Sequence, residues 1–279
     1  MSTLLRAIGS EFLKLLTTRM WWVLALVMTG YVAIAAGGLG AAFGYLSEHP
    51  DAARSNGPGA GGGVPTGSGL EVLIYGFATT VGYVFPVLLG ALAATGEFRH
   101  ATLTPTFLAT PRRGLVLLAK VKVLVVFGAV FGVIAWAATI AAGAATLGAA
   151  GLPTGLDSSD TWALAGRGIL AMALWASIGV GLGTLVTSQV ATIVIVLAFT
   201  QFVEPLLRLA AGFIPATADI ARFLPGAASD ALVGASFFTI NGSTQADALD
   251  WWAGGLVLLG YAVVLTVLGY LVSWRRDVS

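Results

Sequence analysis

The chain has 279 residues, 57% of them hydrophobic and 10% charged, against roughly 25% charged in a soluble domain, which excludes a water-soluble globular protein and predicts an integral membrane one. Fourteen Lys and Arg against thirteen Asp and Glu leave a net charge of +1, too little for bulk attraction to nucleic acid. There is no cysteine, hence no disulfide, thiolate ligand or Cys nucleophile, and His49 and His100 lie too far apart in sequence to suggest a metal centre.

Residues 1–19 place Leu4, Leu5, Ile8, Phe12, Leu15 and Leu16 within an arc of about 120°, with Arg6, Ser10, Lys14 and Thr17 on the far side. This spacing predicts an interfacial helix. Ala33-Ile34-Ala35 resembles a secretory cleavage site, but an amphipathic lead this long, containing Glu11 and Phe12, is unlike a short basic leader. The first span is expected over 21–46, with Trp21 and Trp22 at one rim and Tyr45 at the other. Residues 48–69 include SNGPGAGGGVPTGSG, which has nothing to bury and reads as a flexible loop. The second span, 72–94, contains Pro86, which should kink it.

The segment 95–122, TGEFRHATLTPTFLATPRRGLVLLAKVK, is basic and interrupted by prolines. Thr104-Pro105 and Thr110-Pro111 repeat one signal, a capping oxygen followed by a residue preset for the first helical turn. They predict a short helix over 105–109, a break, and a long helix opening at Pro111. Arg112 and Arg113 would then stand in a first turn, where the helix dipole disfavours cations. An outside anion is needed there, from lipid headgroups or an acidic partner.

Further spans are expected over 123–147, 162–184, 190–212 and 251–274, six in all. Residues 213–250 are neither a span nor a polar linker, and RFLPGAASDALVGASFF reads as one or two short re-entrant or interfacial helices. Arg275 and Arg276 anchor the last span. Arg6, Lys14, Arg19, Arg99, Arg112, Arg113, Lys120, Lys122, Arg275 and Arg276 all fall on the side shared by the termini, which predicts that side to be cytoplasmic.

The chain contains no G-x-x-x-x-G-K-[ST], so it cannot hold ATP phosphates in a P-loop. Gly179-Val180-Gly181-Leu182-Gly183 lies within an apolar helical run without a preceding strand. With Gly179 and Gly183, Gly128 and Gly132, and Gly40 and Gly44 each four apart, close helix packing is expected. Asn241-Gly242-Ser243 reads as a turn rather than a glycan acceptor. Within the fifth span, a rise of about 1.5 Å per residue puts Glu204 about 21 Å into a core of about 30 Å, and Arg208 near enough to the rim to snorkel. The two are one turn apart, and Pro205 leaves the Gln201 carbonyl without its helical donor. Either an ion pair fixing the end of the fifth helix or an outer gate fits this placement.

GEFRHATLTPTFLATPRR, preceded by Ser10-Glu11-Phe12-Leu13-Lys14-Leu15 and followed by Glu204-Pro205-Leu206-Leu207 and Leu224-Pro225-Gly226-Ala227, resembles the permease subunits of type-2 ABC exporters, especially the Ala/Gly-rich actinobacterial ones. The resemblance implies an all-α, six-span membrane protein with an N-terminal elbow helix, a cytoplasmic coupling helix and outer-leaflet re-entrant helices. By position, Glu97, Phe98, Arg99, His100, Thr104, Pro105, Arg112 and Arg113 would form the coupling segment. The expected partners are ABC ATPase subunits carrying the ATP and Mg, a second permease copy or paralogue, and membrane lipids. This chain itself would hold no cofactor and catalyse no reaction, and the cargo would be a lipid-like or amphipathic small molecule. The alternatives are a non-transporting anchor or sensor and an ion-coupled secondary transporter.

Overall fold

A computed structural model describes residues 3–49, 69–213, 215–235 and 249–274. The Asn241-Gly242-Ser243 turn, most of the glycine-rich stretch and Arg275-Arg276 lie outside the described residues. Among the described residues there is no strand, and six helical segments are long and apolar enough to cross a membrane. Helix α1 (Thr3–Thr17) precedes the first span, α2 (Met20–Glu48). The second span is two helices, α3 (Leu70–Thr80) and α4 (Val84–Arg99). A short α5 (Leu103–Ala109) leads into the third span, α6 (Arg113–Ala149), and the fourth is α7 (Ser159–Leu185). The fifth comprises α8 (Gln189–Ala198), a π-helical turn (Phe199–Val203) and α9 (Glu204–Phe213). Two short helices, α10 (Pro215–Ala221) and α11 (Pro225–Val233), precede the sixth span, α12 (Trp251–Gly269) with a terminal π-turn (Tyr270–Trp274).

The fourth span is the centre of the bundle. A Cβ added at Gly128 would stand 2.7 Å from the Met172 carbonyl, and one at Gly132 2.8 Å from the Ile169 Cα. Gly179 would meet the Val87 carbonyl in the same way, and Gly183 that of Ala91 at 2.5 Å. These glycines let the second and third spans lie directly against the fourth, as small residues do where lipid supplies no hydrophobic drive. Large side chains fill the remaining space, with Phe131, Trp136, Trp175 and Leu124 almost wholly buried.

Three local differences from expectation have physical causes. The second span breaks at residues 81–83, a turn before Pro86, because the proline ring displaces the carbonyl four residues back, that of Gly82. The short connecting helix opens at Leu103 rather than Pro105, and Thr104 does not cap it; Pro105 fits in its first turn, where no N–H is required. The third span opens at Arg113, so Arg112 precedes the helix in a tight turn, with φ −80°, ψ 83° and the Arg113 N–H bonded to the Pro111 carbonyl at 3.1 Å. The helix runs unbroken from there into the span, and Lys120 within it is buried at 2% exposure.

Candidate functional site

At the end of the bundle where α1 meets α4 and α6, four charged side chains close a ring. Lys14 Nζ donates to Glu11 Oε1 at 2.6 Å and to Glu97 Oε1 at 2.9 Å. Lys120 Nζ donates to the same Glu97 oxygen at 2.9 Å and to Glu11 Oε2. Charges alternate around the ring, and the side chains of Glu11, Glu97 and Lys120 are 3%, 6% and 3% exposed. Burial opposes ionisation of Glu11, but the ammonium groups of Lys120 and Lys14 outweigh it and hold the carboxyl below its ordinary range. Burial likewise opposes the charge on Lys14, yet Glu97 and Glu11 raise its pKa above the usual ammonium value. Glu97 Oε2 is buried with no hydrogen-bond partner among the described residues.

The ring is tied to α5 at one point and the aromatic side chains hold it at another. Lys14 reaches Thr106 Oγ1 at 3.4 Å. Ala101, at φ 52°, ends α4 in a left-handed residue, with Thr102 N–H bonded to the Glu97 carbonyl at 3.0 Å and Ala101 N–H to that of Phe98 at 3.3 Å. The chain thereby reverses directly beside the ring. Phe98 and Phe107 both stand edge-on to Trp274, at 5.8 and 5.7 Å. Trp274 Nε1–H donates to the Arg113 carbonyl at 3.1 Å, and the Arg113 guanidinium lies 5.0 Å over the Phe107 ring. Leu103 is buried beneath. On the opposite side Thr104, Pro105 and Leu108 are exposed, Leu108 at 80%, and His100 and Arg112 are exposed beside them. Arg99 crosses to the fifth span, its Nη1 2.7 Å from Gln189 Oε1.

A second polar cluster lies within the spans. The Arg208 guanidinium pairs with Asp230 of α11 at 2.6 Å, and Glu204 Oε1 accepts the Ala227 N–H at 3.1 Å. The carboxylate of Glu204 thus sits at the N-terminus of α11, where unpaired N–H groups and the helix dipole favour an anion. Arg208, one turn from Glu204, thus also pairs with a residue distant in sequence. Beside them, Trp175 Nε1–H donates to Ser229 Oγ at 3.0 Å and stacks on Tyr83 at 4.4 Å. The Tyr83 hydroxyl donates to the Thr200 carbonyl at 3.3 Å. That carbonyl is free because Glu204 N–H reaches back to Phe199, a π-helical register in which Thr200 would need the N–H that Pro205 lacks. At the far end of α11, Arg167 lies 5.0 Å over Trp251 and near the left-handed Gly234 that closes the helix.

The coupling residues named from the sequence therefore divide. Glu97 is in the ring, Phe98 and Arg113 face the aromatic group around Trp274, and Arg99, His100, Thr104, Pro105 and Arg112 are at the surface. Sequence reasoning missed Glu11, Lys14 and Lys120 as a unit, Leu108 and Trp274 around α5, and Asp230, Tyr83 and Arg167 in the spans. The one available signal was Glu11 three residues before Lys14 on an otherwise acid-free helix. No protein-family model matches this chain, and no curated protein matches it significantly.

Proposed function

We propose that this chain is the membrane-spanning permease subunit of an ATP-binding-cassette exporter, driven by a separate ATPase subunit. In this reading it sits in a bacterial plasma membrane with both termini cytoplasmic. Helix α1 is the elbow on the inner leaflet, α5 the coupling helix, and α10 and α11 re-entrant helices of the outer leaflet. The observation that carries the reading is the two-sidedness of α5. Its inner residues are tied to α1, α4, α6 and the sixth span through Lys14, Leu103 and Trp274, while Thr104, Pro105 and Leu108 point outward with nothing over them among the described residues. A partner pushing on that surface would move the ends of the second and third spans together, because the ring joins them. The chain has no nucleotide motif of its own, so the push comes from another polypeptide.

A second copy or a paralogue would complete the pathway. The fifth span offers an apolar outer surface of Val194, Phe202, Leu206 and Phe213, 58%, 68%, 64% and 84% exposed, which suits a lipid-like or amphipathic cargo. Leu108→Asp, and separately Arg112→Glu with Arg113→Glu, should reduce copurification of the ATPase or uncouple hydrolysis from transport in proteoliposomes. Unchanged assembly and transport in both variants would refute the reading. The buried carboxylates of Glu204 and Asp230 favour one other, ion-coupled transport. Uptake driven by a proton gradient in vesicles lacking any ATPase would establish it.

A further inference from the structure

Helix α1 has three sides. Ala7, Glu11 and Leu15 are buried against the bundle. Leu5, Phe12, Leu13 and Leu16, 53%, 38%, 62% and 44% exposed, form an outward apolar side that spans about 100° of the helix. Arg6, Ser10 and Thr17 make an exposed polar strip beside it, continued by Arg19. Such a helix matches a boundary between acyl chains and headgroups, its apolar side sunk and its strip at headgroup level.

The ring decides the sign of that headgroup layer. Glu11 and Glu97 are the acidic residues described at this end of the bundle, and Lys14 and Lys120 neutralise both below the surface. Arg6, Arg19, Arg99, Arg112 and Lys122 remain exposed there, and among the described residues no exposed acid accompanies them.

We propose that the outward sides of α1, with Arg6 and Arg19, form a binding surface for anionic phospholipid, made selective by the withdrawal of both carboxylates into the ring. The interaction is independent of any ATPase partner. Each arginine at an anionic surface contributes up to about a fivefold preference, so the pair is expected to enrich anionic over zwitterionic lipid around α1 severalfold, with an upper bound of about twenty-five-fold.

The test uses the full chain with Leu13→Cys, a single thiol in a cysteine-free sequence, carrying a bimane label. The protein is reconstituted in phosphatidylcholine vesicles containing a minor fraction of phosphatidylglycerol, with one or the other lipid brominated on its acyl chains. Brominated phosphatidylglycerol should quench severalfold more per mole than brominated phosphatidylcholine, and the excess should fall as salt rises. Arg6→Gln with Arg19→Gln should bring the two lipids to parity, whereas Arg6→Lys with Arg19→Lys should keep the excess. Equal quenching in the parent protein would overturn the proposal, as would an excess that survives the Gln pair. Quenching by neither lipid would place this side of α1 against protein, and would also overturn it.

Discussion

Lys120→Met keeps a long unbranched side chain and removes the ammonium from the ring. Lys120 is 2% exposed and donates to Glu11, to Glu97 at 2.9 Å and, more weakly, to the Ala93 carbonyl at 3.4 Å. Removing one member of a buried pair costs about 3–5 kcal/mol, because the other charge is left uncompensated. Here Lys14 still holds both carboxylates, at 2.6 and 2.9 Å, so the expected loss is at the lower end, about 3 kcal/mol. For a chain of this size that lowers the unfolding midpoint by about 6–12 °C. Lys122→Met, two residues away and exposed, is the control, expected to change stability by no more than about 0.5 kcal/mol. The double variant Lys120→Met with Glu97→Gln should recover part of the loss, since it removes the carboxylate the first substitution strands. Tryptophan fluorescence during heating of the detergent-solubilised protein, at two scan rates to expose irreversibility, reads the parent, both lysine variants, Glu97→Gln alone and the double variant. A Lys120→Met midpoint equal to that of Lys122→Met would refute the ring as a stabilising unit. So would a double variant at least as unstable as the sum of the singles.

Other substitutions test the remaining contacts. Glu204→Gln keeps an acceptor for the Ala227 N–H but removes the anion from the α11 N-terminus, and should cost about 1–2 kcal/mol; altered transport in a complex of normal stability would instead assign Glu204 to the outer gate. Arg208→Met leaves Asp230 buried beside a lost cation, and should lower the midpoint more than Glu204→Gln does; the reverse order would refute the pairing at 2.6 Å. Gly179→Ala drives a methyl into the Val87 carbonyl and should cost about 1–3 kcal/mol, whereas Gly166→Ala, with open space around it, should be neutral or stabilising. The pH dependence of α1 docking follows from signs. The Glu11 pKa is lowered on folding, so its contribution is complete above the ordinary value of 4.5 and is lost as pH falls below it. The Lys14 pKa is raised, so its contribution is complete below 10.5 and is lost as pH rises through the higher folded value. Proteolysis near Thr17 should therefore be independent of pH across the neutral range, and a rise in cleavage already at mildly acidic pH would contradict the ring electrostatics.

The spans were legible because a bilayer imposes a condition that can be checked residue by residue. Runs such as 21–46 and 251–274 satisfy it without reference to any other part of the chain. Local proline and glycine chemistry was legible in kind, though its effects were displaced. Pro86 acts on the carbonyl four residues before it, so the break falls at 81–83, and Pro205 shows itself as a π-turn already over Phe199–Val203. The candidate site was legible as a stretch but not as an arrangement. Residues from Glu97 to Arg113 stood out as basic and proline-broken, yet nothing in them says that Glu97 turns inward and Arg112 outward.

What the sequence by itself determined is the set of runs able to cross a bilayer, the concentration of basic residues in the segments between them and the amphipathic character of α1, all properties that suit a lipid solvent. Tertiary structure alone decided which charges are neutralised. Lys120 and Lys122 differ little in their neighbours along the chain, but one lies under α1 against Glu11 and Glu97 and the other faces out. Arg208 likewise finds Asp230, twenty-two residues on, a partner no local spacing points to. A buried charge needs a counter-charge within a few ångströms, and which helix supplies it depends on how the helices pack, which local spacing does not encode.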